Sequence, residues 1–179
     1  MKRLIFLLPL MFTLSAFSQT EKPITKGNII LSGGGTVQFY NYKSEGESDI
    51  NIFDLSINPG FGYFIIDNLA IGLSAKIGYS KYDAYKTYNL GVGPFVKYYF
   101  NNGLFVKTEF SYNYIHGIGS NTTNNKDYSV IPGVGYAFFI NQKVSIEPCI
   151  NYQYTHDNSN ETISKMNGVL FELKFNIFL

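Results

Sequence analysis

The sequence has no tryptophan and one cysteine, Cys149, among its 179 residues. A lone cysteine cannot close an internal disulfide, so no disulfide framework holds this fold together. Neither sign of charge dominates: 14 Lys and Arg stand against 13 Asp and Glu, a net charge of +1. That balance argues against a nucleic-acid partner. Past the first eighteen residues, no apolar run approaches the roughly 20 residues of a membrane helix, and no segment sustains a helical period. Hydropathy alone therefore reads the remainder as soluble. The inference is unsafe for β-barrels, whose spanning strands alternate apolar and polar residues and average near zero.

Aromatics and glycine are abundant: 15 Tyr, 16 Phe and 17 Gly. The start of the chain has a different character. Lys2 and Arg3 precede an apolar stretch from Leu4 to Phe12, and Ala16-Phe17-Ser18 supplies a small-residue cleavage site before Gln19. This is the layout of a secretory signal peptide, so residues 1–18 are expected to be removed and 19–179 to form one domain. No cysteine follows the cleavage site, and lipid attachment there is not expected.

From Asn28 onward the sequence alternates with period two, the signature of strands. Eight segments are expected, beginning near Gly27, Ile50, Leu69, Asn89, Leu104, Ser129, Val144 and Gly168. Asp67-Asn68, Asn101-Asn102-Gly103 and Asn141-Gln142-Lys143 are the tight turns that Asn, Asp and Gly favour. Longer polar loops are expected near 43–49, 80–87, 116–127 and 156–166. Short turns at one end and long loops at the other match outer-membrane barrels, with turns periplasmic and loops extracellular. The fold class expected is all-β: an eight-stranded antiparallel up-and-down transmembrane barrel. Pro59, Pro94, Pro132 and Pro148 fall on the apolar parity, where each needs a bulge or a lost ladder bond.

Alternation does not say which face meets water. The export signal, a polar face rich in Gly, Ser and Asn, and tyrosines gathered at strand ends all place the apolar face against lipid. The charges are ordered in the same sense. Asp54, Lys76, Lys97, Lys107, Glu109, Glu147, Glu172 and Lys174 all lie on the polar parity, four of each sign. Charges in a narrow lumen must pair to offset desolvation, so an ion-pair network filling the barrel is expected; a selective pore or a proton path is the alternative. If Val134 faces mid-bilayer lipid, Val134→Arg should cost about 2–4 kcal/mol, whereas Gly135→Ser is expected to be mild.

These residues resemble a known group. Asn58-Pro59-Gly60-Phe61-Gly62-Tyr63-Phe64 before one turn, Gly93-Pro94-Phe95-Val96-Lys97-Tyr98-Tyr99-Phe100 before the next, and a closing strand Phe171–Leu179 are similar to the small eight-stranded outer-membrane barrels of the OmpA/OmpX type, the porin-family β-barrel domain. The resemblance implies a bacterial outer-membrane location. It also implies that the barrel-assembly machinery reads the last strand, usually through a terminal aromatic; here Leu179 ends the chain after Phe178. No peptidoglycan-binding domain is expected to follow.

Little chemistry is legible. His116 and His156 fall near the loop rim on non-adjacent strands, and His116-Gly117-Ile118-Gly119-Ser120 and His156-Asp157-Asn158-Ser159 match no catalytic signature. Two such histidines do not make a metal site. Gly33-Gly34-Gly35 lacks the following helix of a phosphate loop. Asn121-Thr122-Thr123 and Asn160-Glu161-Thr162 match glycosylation sequons, which are common in Asn/Thr-rich loops. Cys149 is expected to be inert in the lumen. No enzyme activity and no cofactor are expected. The expected role is structural or surface interaction, with outer-membrane lipid around the barrel and an extracellular partner at loops 116–127 and 156–166. A narrow channel for small solutes and a lipid A-modifying enzyme are the alternatives.

Overall fold

Large apolar or aromatic residues at every second position, with Gly, Ser and Asn between them, favour extended chain, because alternate side chains leave a strand on opposite faces. The computed structural model describes residues 23–42, 50–82, 85–118, 123–157 and 164–179. Residues 1–18, expected to be a signal peptide, lie outside the described residues. Eight antiparallel strands are formed among the described residues. They are β1 (Ile29–Tyr42), β2 (Ile50–Ile57, continued as Gly60–Ile66), β3 (Leu69–Tyr82), β4 (Tyr85–Tyr99), β5 (Leu104–Ile118), β6 (Thr123–Tyr136, continued as Phe138–Asn141), β7 (Val144–Asp157) and β8 (Ser164–Phe178). Each pairs with the next, and β8 pairs back onto β1, with Ile30 opposite Phe178 and Gly34 opposite Lys174. The sheet is a closed up-and-down barrel, and closure removes the free edges.

The prolines sit where ladder bonds are missing. Pro59 interrupts β2 without shifting it: Gly35 faces Ile57 and Ser32 faces Gly60, one register on both sides. The Pro59 carbonyl still accepts from the Ala75 N–H at 2.8 Å. Pro94, Pro132 and Pro148 pair with Leu73, Thr108 and Leu173 on one side. On the other side the ladder skips them, as between Val92 and Phe95 or between Val130 and Gly133. A lost bond rather than a bulge therefore accommodates these three, as a residue without an N–H requires. The bulges lie elsewhere, at Phe64/Ile66 and Phe139/Asn141.

The three tight turns are as expected. Asn68 (φ 69°) and Gly103 (φ 95°) take the left-handed conformation that Asn and Gly tolerate best. The Asn102 and Asn141 side-chain oxygens accept the N–H two residues on, at 3.1 and 2.8 Å. The other end differs from the sequence-based expectation. Strands continue into three of the four segments assigned to loops: Tyr82 pairs with Tyr85, Gly117 with Thr123 and Asp157 with Ser164. Outward-facing Lys81, Lys86, His116, Lys126 and His156 end the apolar alternation there, yet backbone pairing needs no apolar face. Of the expected loops, 43–49, 83–84, 119–122 and 158–163 lie outside the described residues, and with them the asparagines of both sequons, Asn121 and Asn160.

Inside and outside follow the expected parities. Val134 (51% exposed), Ile150 (54%) and Phe171 (71%) point outward, whereas Lys97, Lys107, Glu147 and Asn151 are buried. Outward aromatics pair near both ends: Tyr98–Phe100 and Tyr136–Phe138 by the turns, at 5.1 and 4.7 Å between centroids, and Tyr79–Tyr88 and Tyr112–Tyr128 toward the loops, at 5.3 and 5.0 Å. One feature of the interior was not expected. At the turn end the lumen is filled by an apolar cluster of Ile24, Ile30, Phe64, Ala70, Tyr99, Phe105 and Phe178. The segment before β1 folds across this end, where the Asn68 N–H donates to the Ile24 carbonyl and the Lys26 N–H to Asp67 Oδ1, each at 2.7 Å.

Candidate functional site

The concentrated polar chemistry lies in the lumen, brought there by parity and register. Lys97 on β4 and Glu147 on β7 are fifty residues apart and form an ion pair across the interior, with side chains 6% and 1% exposed. Tyr99 Oη and Ser145 Oγ both donate to Glu147 Oε1 at 2.9 Å. The Lys97 ammonium also lies 4.0 Å from the Phe105 ring centroid and 4.7 Å from that of Tyr99. Such cation–π contacts strengthen when desolvated. This pair rests directly on the apolar cluster.

Farther from the turns, a second group joins four charges. Lys107 Nζ is 2.7 Å from Glu172 Oε2, and Lys174 Nζ is 3.3 Å from Glu172 Oε1. Glu109 completes the group, 3.8 Å from Lys174 and 4.0 Å from Lys107. Neutral donors add to these contacts: Asn151 Nδ2 donates to Glu172 Oε2, which Lys107 also holds, at 3.1 Å, and Ser74 Oγ to Glu109 Oε1 at 2.7 Å. A cavity of about 20 Å³ borders Lys97, Lys107, Glu109 and Lys174, about the size of one water.

Toward the loops the lumen is polar but sparsely charged. Ser111 donates to Asn113 at 2.9 Å, and Asn113 to Asp127 at 2.6 Å. Ser129 and Thr155 share a hydrogen bond of 2.9 Å, and Gln153 donates to Thr155 at 2.8 Å.

Six of the eight charges singled out from the sequence thus form these two groups. Asp54 and Lys76 share the lumenal parity, opposite Ser80 and Gly91, and none of the ion pairs above includes them. Sequence reasoning missed Tyr99, Ser145, Asn151 and Ser74 as carboxylate donors, and it placed Asp127 in a loop. Their common signal was lumenal parity. Glycines make room for this packing: a side chain at Gly133 would collide with Asn151, and one at Gly72 with Phe95 and the Phe61 carbonyl. Gly135 is equally tight. A Cβ there would strike Phe105 and the Pro148 carbonyl, which corrects the expectation that Gly135→Ser is mild.

His116 and His156 lie on the outward parity of β5 and β7, opposite Asn124 and Tyr128 of the intervening β6. They are not brought together. Among the described residues, no group of three or more His, Cys, Asp or Glu could hold a metal ion. Cys149 is buried, its sulfur 3.2 Å from Asn151 Oδ1.

An apolar belt outside, a neutralised polar lumen inside and closure of β8 on β1 decide the architecture. The fold is that of the small eight-stranded outer-membrane barrels. It is similar to the N-terminal β-barrel domain of Pseudomonas aeruginosa OprF, at 12% identity over 87% of this chain and 98% of that one, with a TM-score of 0.51. It is also similar to Neisserial surface protein A (11% identity, 85% and 97% covered, TM-score 0.50) and to the outer membrane protein OprG of Pseudomonas aeruginosa (14%, 89% and 99%, 0.50). At these identities the likeness concerns the fold. No family model matches the chain, and no curated protein matches its sequence.

Proposed function

We propose that this barrel resides in the bacterial outer membrane and acts structurally or through its outer surface, without a wide pore. The observation that carries the reading is the filled lumen. An apolar cluster closes the turn end, and two ion-paired groups stand above it. An eight-strand barrel is only just wide enough for its own side chains, and here those side chains neutralise one another.

The reading also excludes catalysis as the role. It is supported by the separation of His116 from His156 and by their outward direction, away from the polar lumen. Biogenesis would involve the barrel-assembly machinery reading β8, the strand that closes the barrel. An extracellular partner would meet the loop-side rim, at residues 116–127 and 156–166. Purified protein in a planar bilayer should show no conductance above background; discrete channel openings would replace this reading with that of a narrow channel. Lipid A profiles with and without the protein should coincide, and a modified species would instead make it an enzyme.

A further inference from the structure

We propose that the outward face of β3 and β4 at the loop end binds the phosphate group of a membrane lipid. Three successive outward positions on these strands are paired across the ladder: Ile77 with Leu90, Tyr79 with Tyr88 and Lys81 with Lys86. Successive pairs rise by about 7 Å. The order is therefore an apolar pair, a pair of tilted tyrosine rings with centroids 5.3 Å apart, and a lysine pair. A lipid presents the same order as acyl chain, interface and phosphate.

The lysine pair itself needs an explanation. Like charges directly opposite each other in an antiparallel ladder are destabilising. Both side chains are exposed, and among the described residues neither has an ion pair. Among the described residues no Asp or Glu lies on the outward face of a strand: Asp54, Glu109, Asp127, Glu147, Asp157 and Glu172 take the lumenal parity, and Asp67 lies in a turn at the opposite end. An anion between the two ammonium groups would turn the repulsion into attraction. A phosphate monoester, carrying about −1.5 to −2, matches two lysines in charge. A lipid is favoured over free phosphate because Ile77, Leu90, Tyr79 and Tyr88 beneath the lysines would hold its chains and glycerol region.

The test uses the folded full chain in a non-ionic detergent, with native mass spectrometry counting bound short-chain phosphatidic acid. The matching diacylglycerol is the phosphate-free control. Attraction of basic residues to anionic lipid, about fivefold in affinity per lysine, sets the scale. Lys81→Gln or Lys86→Gln should each weaken binding about fivefold and the double variant about thirtyfold, while Lys81→Arg with Lys86→Arg retains it. Lys143→Gln, at the opposite end, should bind as the unaltered protein does. Unchanged gel mobility without boiling shows that each variant folds. Equal binding by the double Gln variant overturns the proposal, as does equal binding of diacylglycerol. Displacement of the lipid by equimolar inorganic phosphate would also overturn it, in favour of a free-anion site.

Discussion

Glu147 is held by three side chains, those of Lys97, Tyr99 and Ser145, and is almost wholly out of contact with solvent. Removing one member of a buried pair strands the other charge, which typically costs about 3–5 kcal/mol, whereas replacing both by apolar residues of similar volume is often neutral. Glu147→Ala should therefore destabilise the barrel by about that amount, and Lys97→Met with Glu147→Met should recover most of the loss. Urea titrations of the protein folded into lipid vesicles, read by the unboiled gel shift, measure both. Equal midpoints for Glu147→Ala and the unaltered protein would show that the pair contributes nothing. Gly135→Ser belongs to the same scale. Its Cβ meets a backbone carbonyl as well as a ring, and overpacking of that kind typically costs about 1–3 kcal/mol.

A strand has one face for lipid and one for the lumen, so the sign of a substitution depends on parity. Val134 is outward near the middle of β6, between Gly133 and Gly135, which face inward. Val134→Arg should lose about 2–4 kcal/mol at mid-bilayer depth, measured by the same titration; a silent substitution there would reverse the assignment of faces. The strands of 14–15 residues rise about 35 Å when tilted near 45°, roughly 10 Å beyond an apolar band of about 25 Å. That excess is why strand ends were mistaken for loops: Lys81, Lys86, Lys126 and the two histidines project where lipid tails have ended, and polarity without alternation looks like a loop. Faces, turns and strand number were legible because each depends on local spacing. Ion-pair partners were not, because Lys97 and Glu147 meet across the lumen through the register of strands that are not neighbours. The apolar plug was hidden for a related reason. Phe64, Phe105 and Phe178 occupy the otherwise polar parity, and each looks like an isolated exception until closure gathers them at one end.

At the scale of the molecule, the arrangement makes the lumen a polar funnel: lined by Asn113, Ser129 and Thr155 toward the loops, constricted by ion pairs, and closed by aromatic rings at the turns. Its only cysteine reports on this arrangement. Cys149 is 3% exposed and faces the lumen beside Asn151, on the same strand as Glu147 and two residues nearer the loops. Thiol chemistry needs access and a thiolate, and a filled lumen denies the first. A charged, membrane-impermeant maleimide should therefore leave Cys149 unlabelled in the folded barrel, in detergent or in cells, and label it fully after boiling in SDS. Breaking the four-charge group beside it, where Glu172 pairs with Cys149 across the ladder, by Lys107→Ser with Glu172→Ser, should open the route and speed labelling at least tenfold while the unboiled gel shift persists. Rapid labelling of the unaltered barrel would mean that water and small solutes already reach the level of Cys149. The ion-paired groups would then line a path rather than fill it, and the narrow-channel reading would displace the structural one.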